Sequence, residues 1–418
     1  MTDYSKMLPK MLFGRELEEA LKVLPEYDGS VWELDAGTRI LKLSDIYKIF
    51  IPNEMAAEIY CKLYSMASIS LQKKGTIESV RLLNAVHHGI VEPYNEDGFQ
   101  SDQYKGTATG MTSATCIGIS GIGKTTCIQA AISLLGNVME TDGPYRKIIP
   151  VVTVSCPFNC SFRSLCSQIL SKVDECLGTN YFQKSQKSTM NAEQVMQMVC
   201  QVSNLYIGVL AIDEIQMIVE SKSGSQLYRM VLQLINSSNI SVMMCGTPEC
   251  IPFFSQNPQM ARRTSGLQYD AMPYNGQFKE FCKILFSYQY VQNMAELTDS
   301  ILEWMYEHSG AIPGSITALV HDAQEIAILS GKEELGIATL NEAYDRRMKM
   351  MHPYITPNIR INKKYAKAVE RTAEIANSSG AEAFESIDIP ALVETAKKKE
   401  EDIVTLLGNY IPVMEVVL

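Results

Sequence analysis

Residues Gly118-Ile119-Ser120-Gly121-Ile122-Gly123-Lys124-Thr125 satisfy the pattern G-x-x-x-x-G-K-[ST] at every fixed position. Glycines at this spacing let backbone N–H groups curl around a phosphate, and a helix starting at the lysine adds the partial positive charge of its N-terminus. Lys124 is placed to reach the β- and γ-phosphates of a nucleoside triphosphate. The Thr125 hydroxyl is placed to ligate Mg2+, with Thr126 completing the phosphate-binding stretch. ATP and Mg2+ are therefore the expected ligands.

Hydrolysis needs more than a phosphate cradle. Downstream, Tyr206-Ile207-Gly208-Val209-Leu210-Ala211-Ile212 is an apolar run ending in Asp213-Glu214. Asp213 is expected to hold Mg2+ through its water shell and Glu214 to orient and polarise the attacking water, because phosphoryl transfer is mostly positioning and charge stabilisation. The next apolar run, Ile240 to Gly246, ends in Thr247-Pro248-Glu249. Thr247 is a candidate sensor of the γ-phosphate, although Gly-Thr-Pro equally encodes a plain strand-terminating turn. Arg262 and Arg263 follow, in Gln259-Met260-Ala261-Arg262-Arg263. A trigonal phosphoryl group needs an added cation, and an arginine supplied by a neighbouring subunit is a recurrent source.

These residues need a scaffold, and the hydrophobic pattern predicts one. Strands are expected at 114–118, 148–155, 205–212, 240–246 and 267–271, with apolar runs that lack clean alternation, as parallel strands covered on both faces do. Helices between them, at 124–136, 161–177, 191–203 and 224–237, make a three-layer α/β core. Residues 276–352 read as a helical lid with helices near 276–290, 296–309, 314–330 and 339–351. The domain division is thus 1–105, mostly helical and available to partners; 106–275, the nucleotide-binding α/β domain; 276–352, the lid; and 353–418, a helical C-terminal extension. Within the first, Asn53 to Gln72 has apolar Met55, Ile59, Leu63, Met66 and Ile69 at helical spacing, and a second helix is expected from Thr76 to His87. His87-His88 ends that helix, and the polar stretch from Glu92 to Gly110 reads as a linker.

Composition narrows the classes. The chain has 418 residues, 46% of them hydrophobic, enough for one large core or several domains. No run reaches the roughly 18 uninterrupted apolar residues of a membrane span, and Met1 to Lys6 lacks a basic stretch followed by an apolar signal core, so a cytoplasmic location is expected. Eleven scattered cysteines suit a reducing compartment. Cys156, Cys160 and Cys166 lack a completing His or Cys pair, which makes them structural thiols rather than zinc ligands. A net charge of −10 argues against tight, indiscriminate DNA binding by a lone subunit but leaves room for a local basic surface.

Taken together, the motifs resemble the AAA+ ATPases, and more narrowly the TnsC/TniB type of bacterial transposon target selectors. The resemblance is carried by Gly118 to Thr125, Leu210 to Glu214, Cys245-Gly246-Thr247-Pro248-Glu249 and Gln259 to Arg263. Ile49-Phe50-Ile51-Pro52, ahead of a helix with Glu58 and Tyr60, and the turn Ser309-Gly310-Ala311-Ile312-Pro313-Gly314-Ser315 extend it to roughly residues 49 to 351. It implies a P-loop AAA+ core with an all-helical lid and an Mg-dependent ATPase stimulated by DNA and oligomerisation. It further implies a homo-oligomeric ring or filament on double-stranded DNA, linking a target-recognition protein to transposase and disassembling on hydrolysis in a bacterial cytoplasm. DNA would meet loops after the second strand, here Asn159 to Arg163 and Asn180 to Lys187, with Asn159, Arg163, Lys184 and Lys187 as the candidate contacts. Arg360, Lys363, Lys364, Lys367 and Arg371 form a second basic patch whose default is a solvated helix face. The lid helix departs from many AAA+ proteins: Gly314 to His321 has no arginine for the γ-phosphate, which leaves Ser315, Thr317 or a neighbouring subunit for that contact.

Two other readings use the same core. A replication initiator or helicase loader predicts a winged helix at the C-terminus, and residues 360–418 show no β-hairpin signature. A signalling switch that holds nucleotide without turning it over has no use for Asp213-Glu214 or the Arg-Arg pair. A metabolite kinase needs neither a lid of this size nor a second carboxylate for water.

Overall fold

The computed structural model describes residues 3–74, 113–141, 147–159, 161–187, 190–220, 224–237, 240–255 and 266–355. The expected helix from Thr76 to His87, the His87-His88 pair, the 92–110 linker, Cys160, Arg262, Arg263 and everything beyond Ile355 lie outside the described residues.

Six strands form one sheet: β1 Ser113–Gly118, β2 Met139–Glu140, β3 Lys147–Ser155, β4 Ile207–Asp213, β5 Ser241–Gly246 and β6 Leu267–Tyr269, in the order β2-β3-β4-β5-β1-β6. Only the short edge strand β2 is antiparallel. Every residue of β1, β4 and β5 is buried, and successive side chains enter opposite layers. Leu210, Ile212, Val242 and Met244 join one apolar cluster, and Val209, Ala211, Met243 and Cys245 the other. That explains the unbroken apolar runs.

Helices α1 Gly14–Leu21, α2 Ala36–Lys42, α3 Glu54–Lys74, α4 Lys124–Leu135, α5 Phe162–Leu177, α6 Tyr181–Ser185, α7 Ala192–Tyr206 and α8 Gly224–Ser237 surround the sheet and its approaches. Helices α5, α7 and α8 cover one face through Leu165, Ile169, Val199, Leu227 and Leu234. The opposite face is covered by α4 and by α3, whose Ile59, Leu63 and Met66 are buried with Ile128 and Ala131. Ser241 at the start of β5 donates to the Met66 carbonyl of α3, and its hydroxyl lies 3.0 Å from that of Ser70. The core's packing therefore begins upstream of residue 106, because α3 of the N-terminal region shares one of the two helical layers with α4.

Beyond the sheet, α9 Gly276–Ser287, α10 Asp299–Ser309, α11 Pro313–Leu329 and α12 Ile337–Arg347 form the lid. Val31, Leu43 and Ile46 from the N-terminal arm are buried in the same apolar cluster. Arg39 of α2, 2% exposed, clamps the arm to the lid. It donates to both carboxylate oxygens of Glu333 at 2.6 and 2.7 Å and to the Tyr290 carbonyl at 2.9 Å. The arm thus packs in two places: Leu17 and Leu21 with the sheet, and residues 31 to 46 with the lid.

Several expected boundaries move, each for a local reason. The strand expected at 205–212 begins at Ile207, because α7 runs on through Leu205 and Tyr206, its carbonyls at Ser203 and Asn204 accepting from the buried Lys74 ammonium. Helix α9 stops at Ser287 rather than 290: the buried Gln324 amide accepts from Tyr290 N at 2.7 Å and donates to the Tyr288 carbonyl at 3.0 Å, holding that stretch off the helix. The segment 180–187, expected as a loop, contains α6, capped by Asp174 of the preceding helix, which accepts from Tyr181 N and Phe182 N at 2.9 and 2.7 Å. The last strand is shorter than 267–271, and the helix expected at 339–351 ends at Arg347 before a 3-10 turn at Lys349–Met351. No described helix is long and apolar enough to cross a membrane.

Candidate active site

The parallel sheet delivers the chemistry-bearing residues to one edge. β5 lies between β1 and β4, so its terminal Gly246-Thr247 stands between the phosphate loop that follows β1 and the carboxylates that end β4.

The loop itself is shaped by glycine. Gly121 and Gly123 have φ of 81° and 97°, conformations that a side chain strains, so they turn backbone N–H groups inward just ahead of α4. A Cβ at Gly118 would lie 2.4 Å from Ile122 Cδ1 and 2.9 Å from the Tyr269 carbonyl, so that position has no room for one. Lys124, almost fully buried, donates to the Gly118 and Ile119 carbonyls at 2.7 and 3.0 Å. Its ammonium is folded onto the loop's own carbonyls, within the cradle that a phosphate would enter.

Thr125 Oγ1 donates to Asp213 Oδ2 at 2.5 Å. A hydroxyl and a carboxylate side by side are hard oxygen donors of the kind Mg2+ takes alongside phosphate oxygens and waters, so the residues fit that ion. Asp213 is buried, and its other oxygen accepts from the Glu214 backbone N–H at 2.9 Å. Glu214 has φ 57°, a left-handed conformation unusual for a residue with a side chain. The backbone on either side is pinned, Cys156 N donating to the Asp213 carbonyl at 2.8 Å and Ile215 N to the Cys245 carbonyl at 2.9 Å.

Thr247 is half-buried at the strand end, and its hydroxyl is hydrogen-bonded to Glu249. That bond, helped by the Glu249 backbone N–H and the Lys124 ammonium, holds the Glu249 carboxyl below the usual carboxylate range. Two residues that sequence reasoning did not single out as functional therefore belong to the site. Glu249 was in view only as part of the turn. Gln216 carries no charge and stands at no diagnostic spacing, yet its buried side chain joins Glu214 to the Thr247 backbone.

The lid closes over the loop through the Ser309–Ser315 turn. Gly314 N donates to the Gly121 carbonyl at 3.0 Å, and Ile312 is buried in the apolar cluster that holds Ile122. Of the two lid hydroxyls considered for nucleotide contact, Thr317 donates to the Pro313 carbonyl at 2.9 Å, and Ser315 is buried near the start of α11.

The four candidate DNA contacts share a neighbourhood but not a role. Arg163 donates to the Ser185 and Met190 carbonyls, both at 3.1 Å, so its guanidinium stitches the end of α6 to the start of α5. Lys184 is exposed, its ammonium 5.2 Å from the Tyr181 ring centroid, and Lys187 is exposed just beyond. Asn159 is exposed and caps its own loop by accepting from Ser161 N at 3.0 Å. Cys156 and Cys166 are buried, Cys156 next to the end of β3 and Cys166 within α5. Among the described residues, His321, Asp322 and Glu325 are the one trio of His, Cys, Asp or Glu side chains whose ligand atoms group closely enough to hold a metal, and Arg347 pairs with both carboxylates.

Comparison with known proteins agrees with the motifs. Residues 102–271 match the family described as Bacterial TniB protein, a span that takes in the phosphate loop, Asp213-Glu214, the Thr247 turn and the Arg262-Arg263 pair and ends before the lid. The resemblance to TniB proteins is thereby supported independently over the α/β domain. A search of curated proteins finds no match. Among solved structures, the Aeropyrum pernix ORC1 protein in complex with DNA is 14% identical with a TM-score of 0.41, covering 64% of this chain and 63% of that one. The Aeropyrum pernix ORC2 protein in its ADP form is 15% identical at TM-score 0.39, covering 56% and 62%. A katanin structure described as the basis of self-assembly is 13% identical at TM-score 0.38, covering 80% and 93%. The chain thus spans about three-fifths of the length of the two ORC structures. These likenesses are distant, and the P-loop AAA+ fold rests on the strand order, the phosphate loop and the lid themselves.

Proposed function

We propose that this chain is an ATP-dependent, DNA-binding AAA+ regulator of transposition. It assembles on double-stranded target DNA, links a target-recognition protein to transposase, and comes apart when ATP is hydrolysed. The observation that carries this reading is the meeting of the phosphate loop, Thr125 with Asp213, and Glu214 with Thr247 at one sheet edge, within a span that matches the TniB family.

In this reading the backbone N–H groups of the loop and Lys124 bind the β- and γ-phosphates. Thr125 and Asp213 hold Mg2+, which when bound supplies charge neutralisation between those phosphates. Glu214 accepts a hydrogen bond from the attacking water and aims it along the line of the leaving oxygen, while Thr247 reads the γ-phosphate. Arg262 or Arg263 of an adjacent subunit stabilises the charge that develops on the transferred group. Lys184, Lys187 and Asn159 contact DNA phosphates without reading bases, and Arg163 keeps their loop in shape.

Steady-state hydrolysis of ATP with Mg2+, measured with and without duplex DNA, tests the enzymatic half. The expected result is turnover that duplex DNA stimulates. Tight nucleotide binding with no turnover under either condition would instead identify a nucleotide-holding switch.

A further inference from the structure

We propose that Gln216 is the positioning residue that ties the Glu214 carboxylate to the Thr247 turn, so that contact at the γ-phosphate end of β5 is transmitted to the group that aims the water. The proposal rests on the hydrolytic reading of Glu214 given above.

Gln216 is only 8% exposed, and both ends of its amide are spent on site residues. Its Oε1 accepts from Thr247 N at 3.3 Å, and its Nε2 donates to Glu214 Oε2. The orientation is dictated by chemistry: a backbone N–H can only donate and a carboxylate can only accept, so the amide fits one way round. Room for this bridge depends on Gly246, where a Cβ would lie 3.0 Å from Gln216 Oε1, 2.8 Å from Ile215 Cγ2 and 2.9 Å from Cys250 Sγ.

The bridge continues in both directions. Beyond Thr247, the threonine hydroxyl engages Glu249, whose carboxylate feels the Lys124 ammonium. Behind Glu214, the backbone is pinned to Asp213 and β5, and the left-handed φ of 57° turns its side chain toward Gln216. With the main chain so held, the carboxylate's remaining freedom is its own rotation, and the amide donor restrains that. The 3.3 Å bond to Thr247 N is longer than the 2.8 to 2.9 Å bonds that pin the backbone around Glu214, and it yields first when the turn shifts. A γ-phosphate competing for the Thr247 hydroxyl moves the turn, and Gln216 carries the movement to Glu214.

The test uses the full-length chain with ATP, Mg2+ and duplex DNA, and compares Gln216→Met, which removes both hydrogen bonds at similar length, with the near-isosteric Gln216→Glu, which keeps only the acceptor. Each variant should lower kcat at least about tenfold while the Kd for a fluorescent ATP analogue stays within about twofold of wild type. Added to Glu214→Gln, Gln216→Met should change the residual rate less than about twofold, because a residue acting through Glu214 has nothing left to act on. Unchanged kcat, a matching loss of nucleotide affinity, or losses that multiply with Glu214→Gln would each overturn the proposal. If Glu214→Gln abolishes turnover while the Gln216 variants behave as wild type, this inference alone fails. A wild-type chain that binds ATP without hydrolysing it overturns the underlying reading and this one with it.

Discussion

In the proposed reading, Lys124 serves nucleotide binding and Glu214 serves turnover. Lys124 donates to two carbonyls of its own loop, bonds that it would exchange for phosphate oxygens. Replacing it by alanine removes charge-assisted contacts, so Lys124→Ala should weaken binding of a fluorescent ATP analogue by about a hundredfold or more, and assembly with it. Glu214→Gln keeps the cradle and the Thr125–Asp213 pair; nucleotide affinity should be retained while kcat falls roughly 10²- to 10⁴-fold and assembled oligomers persist. Rapid turnover in that variant would show that Glu214 does not aim the water. At this scale the shape of the phosphate loop was most legible, because Gly121, Gly123, Lys124 and Thr125 set backbone geometry and charge at fixed spacing. Gln216 and Glu249 were not legible, since their roles come from a turn of β5 meeting the end of β4, which only the folded sheet brings about.

Among the elements, apolar runs and helical periodicity located the strands β1, β3, β4 and β5 and the lid helices closely. What periodicity could not show was partnership. Helix α3 was readable as a helix but not as a layer of the α/β core, because that depends on contacts with residues far along the chain. Two of those contacts yield predictions. Lys74, at the end of α3, is buried against the Ser203 and Asn204 carbonyls, and burial lowers its pKa from 10.5 to about 7. The folded form releases the proton first, so the unfolded chain binds more protons throughout that window. Stability should therefore rise with pH from about 7 toward 10.5, by up to about 1.4 kcal/mol per unit, and Lys74→Met should flatten that slope in chemical unfolding. A slope that survives in Lys74→Met would assign it to another group. Arg39 meanwhile holds the arm on the lid, and its guanidinium keeps Glu333 below the usual carboxylate range. Arg39→Ala leaves that carboxylate without its partner and should cost about 3–5 kcal/mol in unfolding free energy, whereas an exposed ion pair would cost less than about 1 kcal/mol. The Glu333 contribution is present above its ordinary value of 4.5 and fades as pH falls through its lowered folded value, so Arg39→Ala should weaken the acid dependence of stability as well.

For the whole molecule, the arrangement points outward. The Gly314–Gly121 hydrogen bond joins lid to phosphate loop, and the Arg39–Glu333 pair joins the N-terminal arm to the lid, so a nucleotide seated at Lys124 touches a loop already linked to both. If the arginine that completes the site comes from a neighbour, nucleotide binding and assembly are one equilibrium, and linkage requires that DNA and ATP each raise affinity for the other. With a net charge of −10, isolated subunits are poorly suited to DNA, and in the proposed assembly exposed Lys184 and Lys187 repeated along an oligomer would supply a basic track. The most direct measurement is electron microscopy of the full-length chain on duplex DNA with Mg2+ and a non-hydrolysable ATP analogue, alongside a sample without nucleotide. The account predicts rings or filaments encircling the duplex only when the analogue is present. Monomers scattered on the DNA, with or without nucleotide, would contradict it.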